Sequence, residues 1–161
     1  MVQPYLALAP ATWIRIKDGD PTGLELYRRH YSARPGRRRQ AQFVGPGRSV
    51  VLVTPAASAL FVWRRFEFDR AGQTGVNAAV FRNEGDEMAS DLIRAAELEA
   101  RGVWPDERLY TYIDPRYVRP TMVRGYPVFG WCFYKAGWTF AGVTKDCRLH
   151  ILERDATEGR K

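Results

Sequence analysis

The stretch that decides the fold runs from Val76 to Gly102 and reads VNAAVFRNEGDEMASDLIRAAELEARG. Its first part, Val76 to Phe81, is mostly apolar and is typical of a strand. At Arg82-Asn83-Glu84-Gly85 the hydrophobic period changes from two to 3.6. One face of the following segment carries Met88, Leu92, Ala95, Ala96 and Glu99. Arg101-Gly102 then supplies a basic last turn and a glycine stop. The sequence therefore predicts a strand, a tight turn and a helix in direct succession.

Strands and one helix are predicted upstream of this unit. Apolar runs at Ser49 to Thr54 and Ala59 to Phe66 indicate a hairpin, which Val76 to Phe81 extends to a meander. Nearer the N-terminus, Thr12 to Ile16 alternates as a short strand, and Asp18-Gly19-Asp20-Pro21 supplies a turn, a cap and a first-turn proline. A helix is expected after that proline, with one face formed by Leu24, Tyr27 and Tyr31.

Downstream, Leu109 to Ile113 is predicted as a strand that ends at Asp114-Pro115. Tyr126 to Ala136 is predicted as an aromatic-rich helix, and Trp138 to Thr144 with Arg148 to Glu153 as a final antiparallel hairpin. This order of elements predicts a mixed α/β (α+β) fold in a single domain over residues 1–161, since no repeat or linker interrupts it.

Composition restricts the class of protein. The chain has 161 residues, 45% of them hydrophobic and 13% aromatic, which excludes a wholly disordered or fibrous protein. Its apolar runs are far shorter than the roughly 20 residues of a membrane helix, so we expect no membrane partner. With two cysteines and no basic leader at the N-terminus, we expect a cytoplasmic protein. The sequence predicts no particular oligomeric state.

Arginine supplies most of the formal net charge of +7. One group lies in and before a Gly-, Pro- and Arg-rich segment, residues 32–48, that we call the arginine loop: Arg28, Arg29, Arg34, Arg37, Arg38 and Arg39. A second group, Arg116, Arg119 and Arg124, is interleaved with Tyr117 and Tyr126. Guanidinium groups suit phosphate and aromatic rings suit exposed bases, which favours DNA as a partner. The alternative is a solvated basic surface, because charge runs are common on soluble proteins.

The order of elements resembles the GNAT acyltransferase fold. That resemblance implies a mixed sheet whose central parallel strands, Val76 to Phe81 and Leu109 to Ile113, splay apart, with helices on both faces. It implies an acyl-CoA donor bound by Arg82, Asn83, Glu84 and Gly85, and Tyr134, within Cys132 to Trp138, as general acid. The turn departs from the family at Glu87, and acidic residues there repel a pyrophosphate. A capped helix after a tight turn is the alternative interpretation.

A narrower resemblance extends from about residue 24 to residue 153. It is carried by Arg29-His30-Tyr31-Ser32, Val50 to Thr54, Phe81-Arg82-Asn83-Glu84-Gly85, Tyr110-Thr111-Tyr112-Ile113-Asp114-Pro115 and Phe133-Tyr134-Lys135-Ala136-Gly137-Trp138. These segments look like the Mom-type DNA modification proteins of Mu-like phages. The resemblance implies conversion of the exocyclic amine of adenine in phage or prophage DNA to a carbamoylmethyl form, which evades host restriction. Implied with it are iron bound by His30, Tyr31 and Asp114, and a donor site that includes Arg82 and Tyr134.

The residues themselves leave alternatives open. Histidine, phenol and carboxylate form an N/O donor set that suits iron, but His30 is equally expected as a helix-end histidine and Asp114 as a turn aspartate. The group donor is expected to be acetyl-CoA or another acyl or aminoacyl donor. Two other functions compete with DNA modification: acyl-CoA N-acyltransfer to a small amine or protein, and a non-enzymatic basic module that binds nucleic acid. An aromatic wall for an extruded base is expected from Tyr31 and Tyr117.

Overall fold

The computed structural model describes residues 13–31, 33, 43–67 and 69–156. Within these ranges the strands are β1 (Ile14–Ile16), β2 (Arg48–Val53), β3 (Ala59–Arg65), β4 (Val76–Asn83), β5 (Leu109–Ile113), β6 (Thr121–Val123), β7 (Tyr126–Val128), β8 (Thr139–Val143) and β9 (His150–Arg154). The helices are α1 (Pro21–Arg28), α2 (Ala89–Val103) and α3 (Trp131–Lys135). The predicted mixed α/β class is confirmed.

A seven-stranded sheet, in the order β1-β2-β3-β4-β5-β9-β8, forms the centre of the molecule. The first four strands are antiparallel neighbours, as the predicted hairpin and meander require. On the other side β5, β9 and β8 are antiparallel as well, which confirms the predicted final hairpin. The single parallel pair of this sheet, β4 with β5, therefore joins two antiparallel halves.

The parallel pair separates almost as soon as it forms. It has only two register pairs, Val76 with Leu109 and Asn77 with Tyr110. Just beyond them the Thr111 hydroxyl donates to the Ala78 carbonyl at 2.8 Å, so a side chain replaces a ladder bond. β4 then continues to Asn83 and β5 to Ile113 without further pairing between them. The sheet consequently opens between the carboxyl ends of its two central strands.

Helices cover both faces of the sheet. On one face, α1 contributes Leu26 to a core with Val51, Leu60 and Val80. On the other, which we call the α2 side, a larger core contains Leu92, Ile93, Ala96 and Ala100 of α2 and Phe133 of α3. Two buried indoles tie α2 down: Trp13 Nε1 donates to the Leu92 carbonyl and Trp63 Nε1 to the Ala96 carbonyl, each at 2.9 Å. No helix in the described ranges combines the length and apolar character needed to cross a bilayer.

The helix predicted over residues 126–136 is wrong in its first half. Residues 121–123 and 126–128 instead pair as a separate two-stranded sheet, which we call the β6–β7 hairpin. Its two-residue turn has positive φ at both positions, 51° at Arg124 and 84° at Gly125, the combination that suits tight hairpins. α3 begins only after Gly130, whose φ of 78° ends the extended segment. Aromatic content concealed these breaks, because such residues suit strands as well as helices.

Gly130 allows a close approach that we expect to be important for stability. An added Cβ would lie 3.1 Å from Ile113 Cγ1 and 3.2 Å from Leu152 Cδ1. At Gly72, by contrast, φ is a similar 74° but an added Cβ meets nothing within 4 Å. Gly72→Ala should therefore lower the free energy of unfolding by about 1 kcal/mol through backbone strain alone. Gly130→Ala should cost about 1–3 kcal/mol more, because it also overpacks the core. Urea denaturation of both variants checks this, and equal losses would contradict it.

Candidate functional site

Six side chains gather where β4 and β5 have parted, and we call them the splay cluster: His30, Tyr31, Arg82, Asp114, Arg116 and Tyr117. Arg82 lies near the end of β4, Asp114 directly follows β5, and His30 and Tyr31 follow α1. Sequence analysis expected Tyr31 on the apolar face of α1, but the helix ends at Arg28. The Arg29 carbonyl instead accepts a hydrogen bond from Arg82 Nη1 at 2.6 Å, which attaches the end of α1 to β4.

Glu84 joins α1 to β4 by a double ion pair. Its two carboxylate oxygens accept from Arg29 at 2.8 and 3.0 Å, and Arg82 Nε donates to the same carboxylate. The hydrogen bond from Arg29 is the largest cause, followed by that from Arg82, of a pKa of Glu84 lowered to about 2. The carboxylate is therefore ionised throughout the neutral range, and it neutralises one of the two arginines beside it.

The turn expected to bind a donor phosphate is hydrogen-bonded internally. Asn83 donates to the Glu87 carbonyl at 2.7 Å and accepts from the Gly85 amide at 3.0 Å, while the Glu84 amide donates to the Ser58 carbonyl at 2.7 Å. α2 begins at Ala89 and has no side-chain hydrogen bond at its N-cap, Met88. The structure thus places Arg82, Asn83, Glu84 and Gly85 in a braced turn ahead of the helix rather than at its first amides.

His30 is buried and close to a positive charge. Only 9% of the residue is exposed, and its ring centroid lies 4.4 Å from that of Tyr31. Burial lowers the pKa of His30 to about 4, and the charge of Arg82 contributes in the same direction. The imidazole is therefore neutral at pH 7, the form that accepts a proton.

Tyr31 and Tyr117 form the exposed part of the cluster. Their rings stack with centroids 5.9 Å apart and an interplanar angle of 12°. Tyr117 is 63% exposed. Tyr31 is 42% exposed, but its hydroxyl lies at the backbone of Asp114. Burial raises the pKa of this phenol, and the charge of Asp114 raises it further, so Tyr31 keeps its proton at neutral pH. An aromatic row thus leads from the buried imidazole to solvent.

Asp114 is bound at both carboxylate oxygens by Arg116. Arg116 Nε donates to Oδ1 at 3.0 Å and Nη2 to Oδ2 at 2.8 Å, and the Arg116 amide also donates to Oδ1. This bidentate pair lowers the pKa of the nearly buried Asp114. The same guanidinium carbon lies 5.4 Å from the centroid of the Tyr117 ring. Asp114 therefore positions Arg116 beside the exposed aromatic ring.

The residues expected to bind iron lie in one cluster, but they do not fit the ion as they stand. Both oxygens of Asp114 are occupied by Arg116, and the Tyr31 phenol is held in its protonated form. Only His30, as a neutral imidazole, is in the basic form that a metal ligand requires. In the part of the chain that the structure describes, no three His, Cys, Asp or Glu side chains are grouped to hold a metal. Iron remains a prediction from the resemblance.

The remaining predicted site residues are dispersed. Tyr134, in α3, packs against the core on the α2 side, with its ring 6.4 Å from that of Trp131, and burial raises its pKa. The described contacts do not bring it to the splay cluster. Arg119 and Arg124 are exposed, the latter at the tip of the β6–β7 hairpin. Predicted DNA contacts also fall outside the described residues: Arg34, Arg37, Arg38 and Arg39.

Sequence analysis missed two polar groupings on the face that α1 covers. One is the Arg29–Glu84 pair, whose partners are 55 positions apart and carry no local signal. The other is Asp69, whose carboxylate accepts from the hydroxyls of Tyr110 at 2.9 Å and Tyr112 at 2.6 Å. Tyr110 and Tyr112 are two positions apart on β5, and side chains at that spacing lie on the same face of a strand. This spacing was the only feature of the sequence that indicated their shared face.

Comparisons of the chain with protein-family models, with curated proteins and with solved structures find no match. The family resemblances noted in the sequence are therefore hypotheses.

Arg82→Gln should raise the pKa of His30 above about 4, because it removes the positive charge that opposes protonation. Burial is the larger cause and persists, so the value should stay below the ordinary 6.5. NMR titration of the imidazole measures this. Arg15→Gln, which removes an arginine paired with Glu99 on another surface, is the control and should leave His30 unchanged. An unaltered His30 titration in Arg82→Gln would show that burial alone sets its pKa.

Glu84→Gln should destabilise the fold by about 1 kcal/mol at pH 7, since the ion pairs are partly exposed. The folded pKa of about 2 lies below the ordinary 4.5, so the stabilisation is complete above pH 4.5 and decreases as the pH falls toward 2. Urea denaturation between pH 7 and pH 3 should show wild type and variant converging in acid. Glu25→Gln is a matched control, because it also removes a carboxylate beside Arg29. Glu25 is exposed and its ion pair with Arg29 is long, at 4.0 Å, so we expect a smaller effect. A constant difference across this pH range would contradict the assignment.

Proposed function

We propose that this protein is a DNA-modifying enzyme that transfers a small group to the exocyclic amine of adenine. The observation that carries the proposal is the aromatic row of the splay cluster, in which Tyr117 and Tyr31 lead to a neutral His30 at the opening between β4 and β5. The resemblance to Mom-type proteins supplies the proposed product, a carbamoylmethyl adenine that protects phage or prophage DNA from restriction.

The aromatic row suits a base taken out of the duplex. An enzyme that acts on the amine of a paired adenine has to extrude the base or use single strands, and extrusion costs a few kcal/mol. Stacking of the extruded base on an aromatic side chain stabilises the complex by about 1–3 kcal/mol and so offsets this cost. Tyr117 is exposed enough to receive a base, and the Arg116 guanidinium at its ring can pair with a backbone phosphate.

His30 is the proposed proton acceptor. In this reaction the adenine amine nitrogen forms a bond to a carbon of the donor, and the bond from that carbon to its leaving group breaks with the electron pair. The amine loses one proton, which moves to the neutral imidazole. The carbamoylmethyl product requires a donor whose methylene carbon carries the leaving group, and we propose that Arg82 orients it. An acyl or aminoacyl donor such as acetyl-CoA transfers its carbonyl carbon and would leave an N-acyl adenine instead.

The charge distribution favours DNA over a small cationic amine. Five Lys or Arg residues and no Asp or Glu occur from Pro115 to Lys145. The two acids at the opening are also paired, Glu84 with Arg29 and Arg82, and Asp114 with Arg116. A cationic substrate calls for unpaired acidic groups, whereas a polyanion is attracted by this surface.

A second candidate is a basic module that binds DNA without modifying it. The internal hydrogen bonds of the turn from Arg82 to Gly85 favour this reading, because they occupy groups that a donor phosphate would otherwise use. Both candidates require DNA binding, so only the chemical state of adenine separates them.

Mass spectrometry of nucleosides from the DNA of bacteria that express the protein is the deciding experiment. We expect a deoxyadenosine that is heavier by a carbamoylmethyl group, and we expect its loss in His30→Asn with DNA affinity retained. His150→Asn changes the other histidine of the chain, on β9, and should preserve modification. Unmodified adenine together with DNA binding would favour the basic module, whereas absence of DNA binding would exclude both candidates.

A further inference from the structure

The β6–β7 hairpin is fixed at both ends to the end of β5, beside the splay cluster. In the segment that leads into it, the Asp114 carbonyl accepts from the amides of Tyr117 at 3.1 Å and Val118 at 3.0 Å. Val118 also packs against the core on the α2 side. At its other end, the Gly130 backbone lies against Ile113. The hairpin therefore has a defined position relative to the opening between β4 and β5.

Most of the hairpin itself is exposed, and its surface is both apolar and basic. Tyr126 is 74% exposed and Met122 is 62% exposed. Tyr126 is paired with Val123, the neighbour of Met122 in β6. Because adjacent positions of a strand point to opposite faces, Tyr126 and Met122 lie on opposite faces of the hairpin. Arg124 occupies the tip, and the acid-free stretch from Pro115 to Lys145 surrounds it. An exposed aromatic ring beside a basic tip is the combination that can bind an exposed base and the phosphate next to it.

We infer that the β6–β7 hairpin inserts into DNA beside the modified adenine and fills the gap that the extruded base leaves. Tyr126 stacks on a base that borders the gap, and Arg124 pairs with a phosphate. Apolar and aromatic side chains are used as wedges between base steps, and a basic stretch without acids selects a polyanion over a second copy of this basic chain. This inference rests on the proposed function, since it assumes that DNA is the substrate.

Two substitutions separate the stacking contact from the charge contact. Tyr126→Ala removes the ring from an exposed position, where folding is little affected. Arg124→Asn removes the charge and creates an Asn-Gly turn, which suits positive φ at both positions and so preserves the hairpin. Leu98→Ala is the matched control, because Leu98 is also strongly exposed, at 73%, but belongs to α2 and not to the hairpin. Circular dichroism and urea midpoints verify that all three variants are folded.

Binding is measured by titrating the full chain with a short fluorescent duplex and with the same duplex carrying one abasic site. We expect the wild type to bind the abasic duplex more tightly, because no base has to be extruded there. Tyr126→Ala should weaken abasic binding roughly five- to a hundredfold, the range for one stacked base, with the salt dependence unchanged. Arg124→Asn should reduce the slope of log affinity against log salt by about one. Leu98→Ala should match the wild type.

The outcomes distinguish the hairpin from the proposed function. Suppose that the wild type binds DNA and modifies adenine, and that both hairpin variants have the wild-type DNA affinity and salt dependence. The hairpin inference is then overturned and the proposed function stands. If the wild type binds neither duplex, the proposed function fails and the inference fails with it. Loss of self-association in Tyr126→Ala, seen by analytical ultracentrifugation without a change in DNA affinity, would identify a second copy as the partner and overturn the inference.

Discussion

The parting of β4 and β5 after two register pairs is the constraint on which the rest of the structure depends. A strand that leaves its neighbour exposes backbone groups that must find other partners. Thr111 supplies one with its hydroxyl at the Ala78 carbonyl, and beyond that point polar side chains occupy the opening. Arg82 and Asp114 stand at the ends of the two separated strands, and each brings its own ion-pair partner. The interruption of the sheet thus explains why charged groups concentrate in this place.

Pairing of Glu84 and Asp114 with arginines sets the electrostatic character of the splay cluster. Glu84 is shared by Arg29 and Arg82, and Asp114 is bound by Arg116. Such pairing compensates the cost of placing carboxylates in partly buried positions. It leaves basic groups in excess, because Arg119 and Arg124 follow without an acidic residue near them in sequence. The surface therefore attracts anions, which links the fold to the class of substrate proposed.

Local periodicity predicted most of the fold, and contacts between distant residues explain what it missed. The meander, α2 and the final hairpin each repeat a clear period over several residues, so their positions followed from the sequence. The β6–β7 hairpin was missed because the Arg124-Gly125 turn lies in an aromatic segment that also suits a helix. Within the site, the sequence predicted that His30, Tyr31 and Asp114 lie together and that Tyr117 lies near them. It could not predict that Tyr31 stacks on Tyr117, 86 positions away, or that Arg29 reaches Glu84.

Arg82 links the geometry of the site to its acid–base chemistry. It holds the end of α1 through the Arg29 carbonyl, which positions His30 and Tyr31, and its charge also lowers the pKa of His30. A base with a pKa of about 4 is a weak proton acceptor at pH 7, because proton transfer to it is uphill. A DNA phosphate paired with Arg116 would bring negative charge to the splay cluster, which opposes the effect of Arg82 and raises the basicity of the imidazole. In the proposed reaction, substrate binding would therefore strengthen the base that the reaction requires, and His30 would stay neutral until DNA is in place.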